Sequence, residues 1–178
     1  MISLFKITGI ILCFISCSAI GIYESSQIKR RKLLLIEFQD FLQQISTEMG
    51  YFKEPLQQIF QRIIQNHHNI NQFTPVTLLL RQCTSPHSQS NDFYSLWKRA
   101  IEAAYQDEPL NSADTQIFIK CGSFLGQSDF DSQKGHFSLL QGELEKQIME
   151  AEEHIKTKGS LYGKAGVSIG AVIAIALL

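Results

Sequence analysis

The feature that most limits how this chain can fold is an uncharged, apolar run near its amino end. The run extends from Ile7 to Tyr23, and four basic residues follow it at positions 29–32. As a helix it would span roughly 25 Å, and the apolar residues before it extend it toward the roughly 30 Å of a bilayer core. Because basic clusters remain on the cytoplasmic side, the sequence predicts a transmembrane anchor over residues 1–23 and a cytoplasmic body.

The carboxyl end repeats this pattern in a shorter form. From Leu161 to Leu178 the only charged residue is Lys164, whose amine can extend toward lipid headgroups. Counted from Ser160, the segment has about nineteen residues, which is enough to cross a slightly thinned bilayer. The sequence therefore predicts a second transmembrane anchor over residues 159–178.

Residues 24–158 carry a helical pattern throughout, with apolar residues at spacings of three and four. The first amphipathic helix continues from the anchor as one rod, and no segment alternates apolar and polar residues as a strand does. Expected helix ends are a glycine cap at Gly50 and amino-terminal caps at Thr74, at Asn91 or Asp92, and at Ser112. The predicted fold is all-α, an antiparallel six-helix bundle over residues 24–158, with helices over 24–49, 55–66, 75–82, 92–106, 112–125 and 132–158.

The sequence contains no glycine-rich phosphate loop and no H-E-x-x-H motif. The pairs His67-His68 and Glu150/His154 lack a third ligand at a recognisable spacing, so solvated positions explain them better than a metal site. Net charge is −1, which gives no broad cationic surface for nucleic acid. We expect no enzyme activity, no cofactor, no metal and no nucleic-acid partner.

The four cysteines are interpreted as small buried hydrophobic residues, since none of them forms a C-x-x-C pair. Cys17 leaves one alternative open. The residues around it loosely match a lipoprotein or signal-peptidase cleavage site, which would make the protein a processed or lipid-anchored extracytoplasmic helical protein.

Three stretches of the sequence resemble the stage III sporulation protein AB family. They are Ala19-Ile20-Gly21, Ile45-x-x-Glu48-x-x-Tyr51-x-x-x-Pro55-Leu56, and Phe124-Leu125-Gly126-x-x-Asp129 followed by a helix rich in Leu and Glu. The resemblance implies a bundle similar to the cytoplasmic, F-type domain of the type II secretion platform protein. It also implies a cell-membrane location, with the bundle in the cytoplasm on the mother-cell side.

The resemblance further implies a non-catalytic platform or assembly subunit of a sporulation-specific, secretion-like channel between mother cell and forespore. Its expected partners are a secretion-type ATPase and other stage III sporulation channel proteins, and a homo-oligomer is left open. Candidate partner-binding residues lie in two turns, Tyr51 and Phe52 in one and Gln127 and Asp129 in the other. A helix cannot bury both adjacent aromatics in one stripe, so one should be available to a partner. The alternatives are a hydrophobic staple for the aromatics and a helix cap for Asp129.

Overall fold

The structure, a computed structural model, consists of helices. It describes residues 2–51, 54–66, 74–84, 92–125 and 130–159, and residues 161, 165, 168–169, 171–173 and 175 beyond them. No strand occurs in these parts of the chain, so the predicted all-α class is confirmed. The helices are α1 (Ile2–Tyr51), α2 (Leu56–Asn66), α3 (Pro75–Thr84), α4 (Phe93–Ala104), α5 (Ser112–Leu125) and α6 (Phe130–His154), and a π-helical turn (Ile155–Gly159) follows α6.

The two predicted transmembrane anchors, over residues 1–23 and 159–178, do not find support in the structure. Among the residues described, no helix is both long enough and apolar enough to cross a membrane.

The chain divides into two compact units. The central unit contains residues 34–148, and the terminal unit contains residues 1–33 together with 149–178. In the central unit consecutive helices are neighbours, since α2 packs on α3, α3 on α4 and α4 on α5. The expectation that the apolar run and the first amphipathic helix form one rod is confirmed, because α1 is continuous over its fifty residues.

Aromatic rings form the middle of the core of the central unit. Trp97 of α4 is fully buried, and its ring lies 6.3 Å from those of Phe41 and Phe60 and 6.0 Å from that of Phe93. The ring of Phe118 stacks on that of Phe38 at 3.8 Å. Each large ring removes much apolar surface from water, and pairs at these distances add about 0.5–1.5 kcal/mol each. Side chains from α1, α2, α4 and α5 are therefore joined in one cluster.

A close contact between α4 and α5 fixes the position of Trp97. Its indole Nε1 donates a hydrogen bond to the carbonyl oxygen of Phe118 at 2.9 Å. The ring also lies against Gly122, where a Cβ atom would approach Trp97 Cδ1 to 2.2 Å. Only a residue without a side chain fits there, which explains a glycine in the interior of a buried helix.

Local hydrogen bonds define where α4 and α5 begin. The carboxylate of Asp92 accepts hydrogen bonds from the amides of Tyr94 and Ser95, as the prediction for α4 required. The predicted cap at Ser112 is wrong, because Ser112 is already helical and Asn111 caps α5. The Asn111 side chain accepts from the Asp114 amide at 2.7 Å, and Asp114 accepts in return from the Asn111 amide at 3.0 Å. This reciprocal pair is a capping box.

The predicted glycine cap at Gly50 is also wrong. α1 continues through Tyr51, and no described glycine has a positive φ angle. Gly50 therefore does not end the helix through a left-handed conformation.

The third helix begins as predicted, with the amide of Thr77 donating to the Thr74 hydroxyl at 3.4 Å.

Ion pairs join the two chain segments of the terminal unit. Lys32 on α1 lies 3.4 Å from the Glu152 carboxylate, and Lys156 lies 3.1 Å from the other oxygen of the same group. Arg31 lies 3.9 Å from Glu150. Because two lysines face it, the pKa of Glu152 is lowered from its ordinary value of 4.5. Two residues of the basic cluster, Arg31 and Lys32, therefore have acidic partners in this unit.

Candidate partner-binding surface

The turn between α1 and α2 is held by one arginine and two carboxylates. Arg62 of α2 donates from Nη1 to Glu48 Oε2 of α1 at 3.0 Å. Its Nη2 donates to Glu54, the residue that precedes α2 by two positions. A guanidinium offers several donors in a fixed fork, so one side chain can bind both carboxylates at once. We call these three residues the turn triad.

The turn triad fixes both ends of the connection it spans. Glu48 lies near the end of α1 and Glu54 lies just before α2. Arg62, which belongs to α2, binds both and so connects the two ends of the turn. The side-chain hydrogen bond to Glu48 raises the pKa of Arg62, and the hydrogen bond to Glu54 adds to it, while desolvation opposes both. The pairing is partly open to water, and its main effect is therefore on geometry rather than on stability.

Tyr51 projects from this turn into solvent. It is the last residue of α1, and 81% of its surface is exposed, whereas Ile45, two turns earlier, is fully buried. A tyrosine in that position has lost little of its contact area to the rest of the chain, and aromatic side chains with a polar tip are frequent anchors in protein interfaces. Its role in binding a partner stays a prediction.

The other three candidate residues, Phe52, Gln127 and Asp129, lie outside the residues that the structure describes. The elements on either side of residues 126–129 are described. α5 ends at Leu125, which is buried, and the ring of Phe124 stacks on His136 of α6 at 4.2 Å. The turn that carries the predicted residues thus begins from a packed helix end.

Sequence reasoning missed Arg62. The periodicity of α2 defines its buried face as Ile59, Phe60 and Ile63, and says nothing about which side chain closes the preceding turn. One signal was available: Arg62 is the only charged residue in α2, and acidic residues stand on both sides of the turn at positions 48 and 54. A single basic residue near two acidic residues predicts an ion-pair cluster that closes the turn.

The described part of the chain offers little for metal or thiol chemistry. It holds no group of three or more histidine, cysteine or acidic side chains able to bind a metal ion. Cys83 and Cys121 are buried, as predicted, and burial raises the pKa of Cys83 to about 12 and moves the pKa of Cys121 in the same direction. At neutral pH both thiols stay protonated, and a protonated thiol is a weak nucleophile. The interpretation of these two cysteines as small core residues is confirmed.

Comparison with known proteins decides the family. The sequence profile of stage III sporulation protein AB matches residues 6–178. The chain belongs to the stage III sporulation protein AB family. The resemblance drawn from the sequence is confirmed, and with it the interpretation as a sporulation protein.

A solved structure of a stage III sporulation protein AB agrees in fold. Its sequence is 22% identical to that of this chain. The match covers 71% of this chain and 96% of the solved chain, with a TM-score of 0.60. No curated protein matches the sequence. At this identity the structural likeness concerns the fold, and it supports a helical bundle of the same kind for this family member.

Proposed function

We propose that the protein is a non-catalytic assembly subunit of a sporulation-specific, secretion-like channel between mother cell and forespore. The observation that carries the proposal is Tyr51, the last residue of α1, which is 81% exposed at the turn that the turn triad spans. Membership in a sporulation family supplies the context. An exposed tyrosine suits binding, because it offers a large contact area and has only two side-chain torsions to immobilise when a partner covers it.

The proposed partner is the secretion-type ATPase of this channel, with other stage III sporulation proteins around it. Tyr51 and Phe52 would bind it from one turn, and Gln127 and Asp129 from the other. Tyr51 would supply apolar contact area and a hydroxyl group, and Asp129 would supply a charge.

The apolar amino end is proposed to attach the protein to the cell membrane. Its described apolar side chains are more than half exposed to solvent in the chain alone. They are Ile11, Leu12, Ile15, Ile20, Ile22 and Tyr23. Exposed apolar surface of this extent favours contact with lipid or with another protein, and the basic residues at positions 29–32 favour an orientation with the central unit in the cytoplasm. We propose the mother-cell side for this cytoplasm, as the resemblance to the family implies.

Substitution of Tyr51 tests the partner proposal. Tyr51→Ala should lower sporulation efficiency and co-purification of the ATPase, while the melting temperature stays within a few degrees, because the ring has few contacts to lose. Tyr94, which is 41% exposed on α4, provides the matched control. Tyr94→Ala should leave both readouts unchanged. If Tyr51→Ala binds the ATPase as well as the wild type, the proposed surface is wrong.

The double variant Phe52→Ala with Asp129→Ala extends the test to the other proposed residues. We expect the same loss of sporulation and of ATPase binding at nearly constant melting temperature. A loss of stability equal to the loss of binding would instead assign both residues to the packing of the turns.

Orientation is tested separately with a phosphatase fusion near Ser88. Cytoplasmic placement predicts an inactive phosphatase at that point. An active fusion would favour the extracytoplasmic alternative that the sequence around Cys17 left open, and it would exclude contact with a cytoplasmic ATPase.

A further inference from the structure

Two glycines lie on the outer side of α6 within the central unit. At Gly135 and at Gly142 an added Cβ atom would meet nothing within 4 Å. Glycine is a poor helix former, and at Gly122 the close contact with Trp97 accounts for it, whereas no described residue of this chain comes close to the other two. They are separated by about two helical turns and therefore project from the same side of α6. An approach by a helix from outside this chain would explain why glycine stands there.

Leu139 projects between these two glycines. It is 53% exposed, whereas its neighbour Leu140 is fully buried in the core. At 100° per residue Leu139 lies within about 60° of both glycines around the helix, and Leu140 points the opposite way. The outer side of α6 therefore has a projecting apolar side chain next to two positions where a second helix can come close. Helices pack by placing such a side chain into the space between side chains of the other helix.

Two adjacent charges complete this side of the helix. Glu145 and Lys146 are both exposed, and neither forms an ion pair with a residue that the structure describes. At 100° per residue they stand on opposite sides of the line that joins the two glycines. We call Gly135, Leu139, Gly142, Glu145 and Lys146 the α6 face.

The charges of the α6 face are complementary to a second copy of the same face. When two copies of a helix lie parallel about a two-fold axis, the left flank of each faces the right flank of the other. Lys146 of each copy then meets Glu145 of the other, which gives two equivalent ion pairs. An antiparallel pair brings like flanks together, and these two charges do not meet. The charge pattern therefore favours a parallel pair.

We propose that the α6 face binds the α6 face of a second copy of this chain, with the two helices parallel. Leu139 of each copy packs into the space beside Gly135 and Gly142 of the other, and the two ion pairs fix the register. Residues 135–146 extend over roughly 17 Å, so the contact buries less than the roughly 800 Å² per partner of a standard interface. The pairing therefore depends on a high local concentration.

Attachment of both copies to one membrane would supply that concentration. It also agrees with the parallel direction, since both copies then present the same end of α6 to the membrane. The inference rests on the proposed membrane attachment, and it deepens the proposed assembly role by making two copies of the chain one unit.

Disulfide crosslinking of the full-length chain in membranes of sporulating cells tests the pairing. The background replaces Cys13 and Cys17 by serine, and the other two cysteines are buried. Under mild oxidation Gly142→Cys should give a disulfide-linked dimer, because the two copies of position 142 lie opposite each other, within the roughly 7 Å between Cα atoms that a disulfide spans. Gly135→Cys should behave in the same way. The control is Ala103→Cys, at an exposed position of α4, which should remain monomeric.

Expression of both cysteine variants in one cell determines the direction of the pair. Positions 135 and 142 are roughly 10 Å apart along the helix, which is too far for a disulfide. A parallel pair should therefore link only like variants. An antiparallel pair would link unlike variants.

Charge exchange in the Gly142→Cys chain tests the register. Lys146→Glu should lower the dimer yield about tenfold, because two attractive contacts become repulsive. Adding Glu145→Lys should restore the yield, since the exchanged charges remain complementary. Lys98→Glu, on the exposed side of α4, makes the same change of net charge and should leave the yield unchanged.

Gly135→Leu in the same chain separates pairing from folding. A Cβ at this position meets nothing within 4 Å, and leucine is the better helix former, so the melting temperature should stay equal or rise. The added side chain should hold the two copies apart and lower the dimer yield about tenfold. An unchanged yield would contradict close approach at this glycine.

Three further results would overturn the inference. They are no dimer from either cysteine variant, disulfides between unlike variants only, and a yield that does not respond to Lys146→Glu. These results are distinguishable from failure of the proposed function, because the phosphatase fusion near Ser88 and Tyr51→Ala report on orientation and on ATPase binding independently. If the fusion is inactive and Tyr51→Ala lowers ATPase binding while no dimer forms, the pairing alone is wrong.

Discussion

The contact between Gly122 and Trp97 makes a demanding prediction, because helix propensity and packing oppose each other there. Alanine is the better helix former, and Gly122→Ala inside α5 would gain about 1 kcal/mol from that effect alone. The substitution would also place a methyl group against the buried indole of α4. Which effect is larger can be worked out from the structure.

Packing is the larger effect. The new Cβ would lie 2.2 Å from Cδ1, 2.5 Å from Cγ and 2.9 Å from Cβ of Trp97, whereas ordinary contact begins at 3.4 Å. The indole must therefore move by about 1 Å, which costs about 1–3 kcal/mol by overpacking. That movement also endangers the 2.9 Å hydrogen bond from Nε1 to Phe118, whose loss in a buried position costs about 1–3 kcal/mol. The net expectation is a destabilisation of about 2–4 kcal/mol.

Urea unfolding of the full-length chain measures this directly. Trp97 is the only tryptophan, so its fluorescence reports on the contact itself. Gly122→Ala should lower the urea midpoint at nearly constant slope. The control is Gly142→Ala in α6, where a Cβ would meet nothing within 4 Å, and which should stabilise by up to about 1 kcal/mol. If both variants were equally stabilised, the close packing of α4 on α5 would be refuted.

Three further predictions concern the core, the thiols and a helix cap. Leu144 is fully buried on α6, so Leu144→Asp should cost roughly 2–4 kcal/mol and lower the melting temperature markedly, and an unchanged melt would place that face elsewhere. In a chain with Cys13→Ser and Cys17→Ser, Ellman's reagent at neutral pH should react with neither remaining thiol when native and with both in urea, and fast native reaction would contradict their burial. The hydrogen bond from Ser95 lowers the pKa of Asp92 from its ordinary 3.8, so the cap stabilises above that pH and is lost as pH falls through the folded-state pKa. Between about pH 5 and pH 3 the urea midpoint of Asp92→Asn should therefore fall less than that of the wild type, and an equal fall would refute the cap's role.

The periodicity of the apolar residues was sufficient to predict the helices and much of the core. Apolar residues recur at spacings of three and four on α1 and α6, and Phe38, Leu42, Ile45, Leu140 and Leu144 among them are buried. Such spacings work because the core is a property of one helix face, which a single segment of sequence reveals. Leu34 and Leu35 are both buried, so the buried face of α1 is wider than a stripe with spacings of three and four alone.

Helix ends were less predictable, because several polar residues compete there. Ser112 and Asn111 are both good caps, and the choice depends on Asp114, whose carboxylate returns a hydrogen bond to the Asn111 amide. This reciprocal bond requires the acid three residues after the cap, and Ser112 has Thr115 in that place. The spacing would have favoured Asn111. At Gly50 the type of residue suggested a cap, but α1 continues through it.

The candidate site depends on contacts that no single segment contains. Arg62 meets Glu48 across fourteen residues of sequence. The polar residues of α1 therefore have the same pattern whether they face water or a neighbouring wall. A solvated face is the more frequent case for acidic residues on an amphipathic helix.

Tyr51 continues a polar row along α1. Glu37, Asp40, Gln44, Glu48 and Tyr51 follow one another at intervals of three or four residues, and at 100° per residue they fall within about a quarter of the helix circumference. The buried positions Phe38, Leu42 and Ile45 lie on the neighbouring side of the same helix. From the first to the last, the row extends over roughly 21 Å, about four turns. A partner that covers Tyr51 and continues along α1 would therefore meet polar side chains, so its binding surface should combine an apolar site for the tyrosine ring with polar groups beside it.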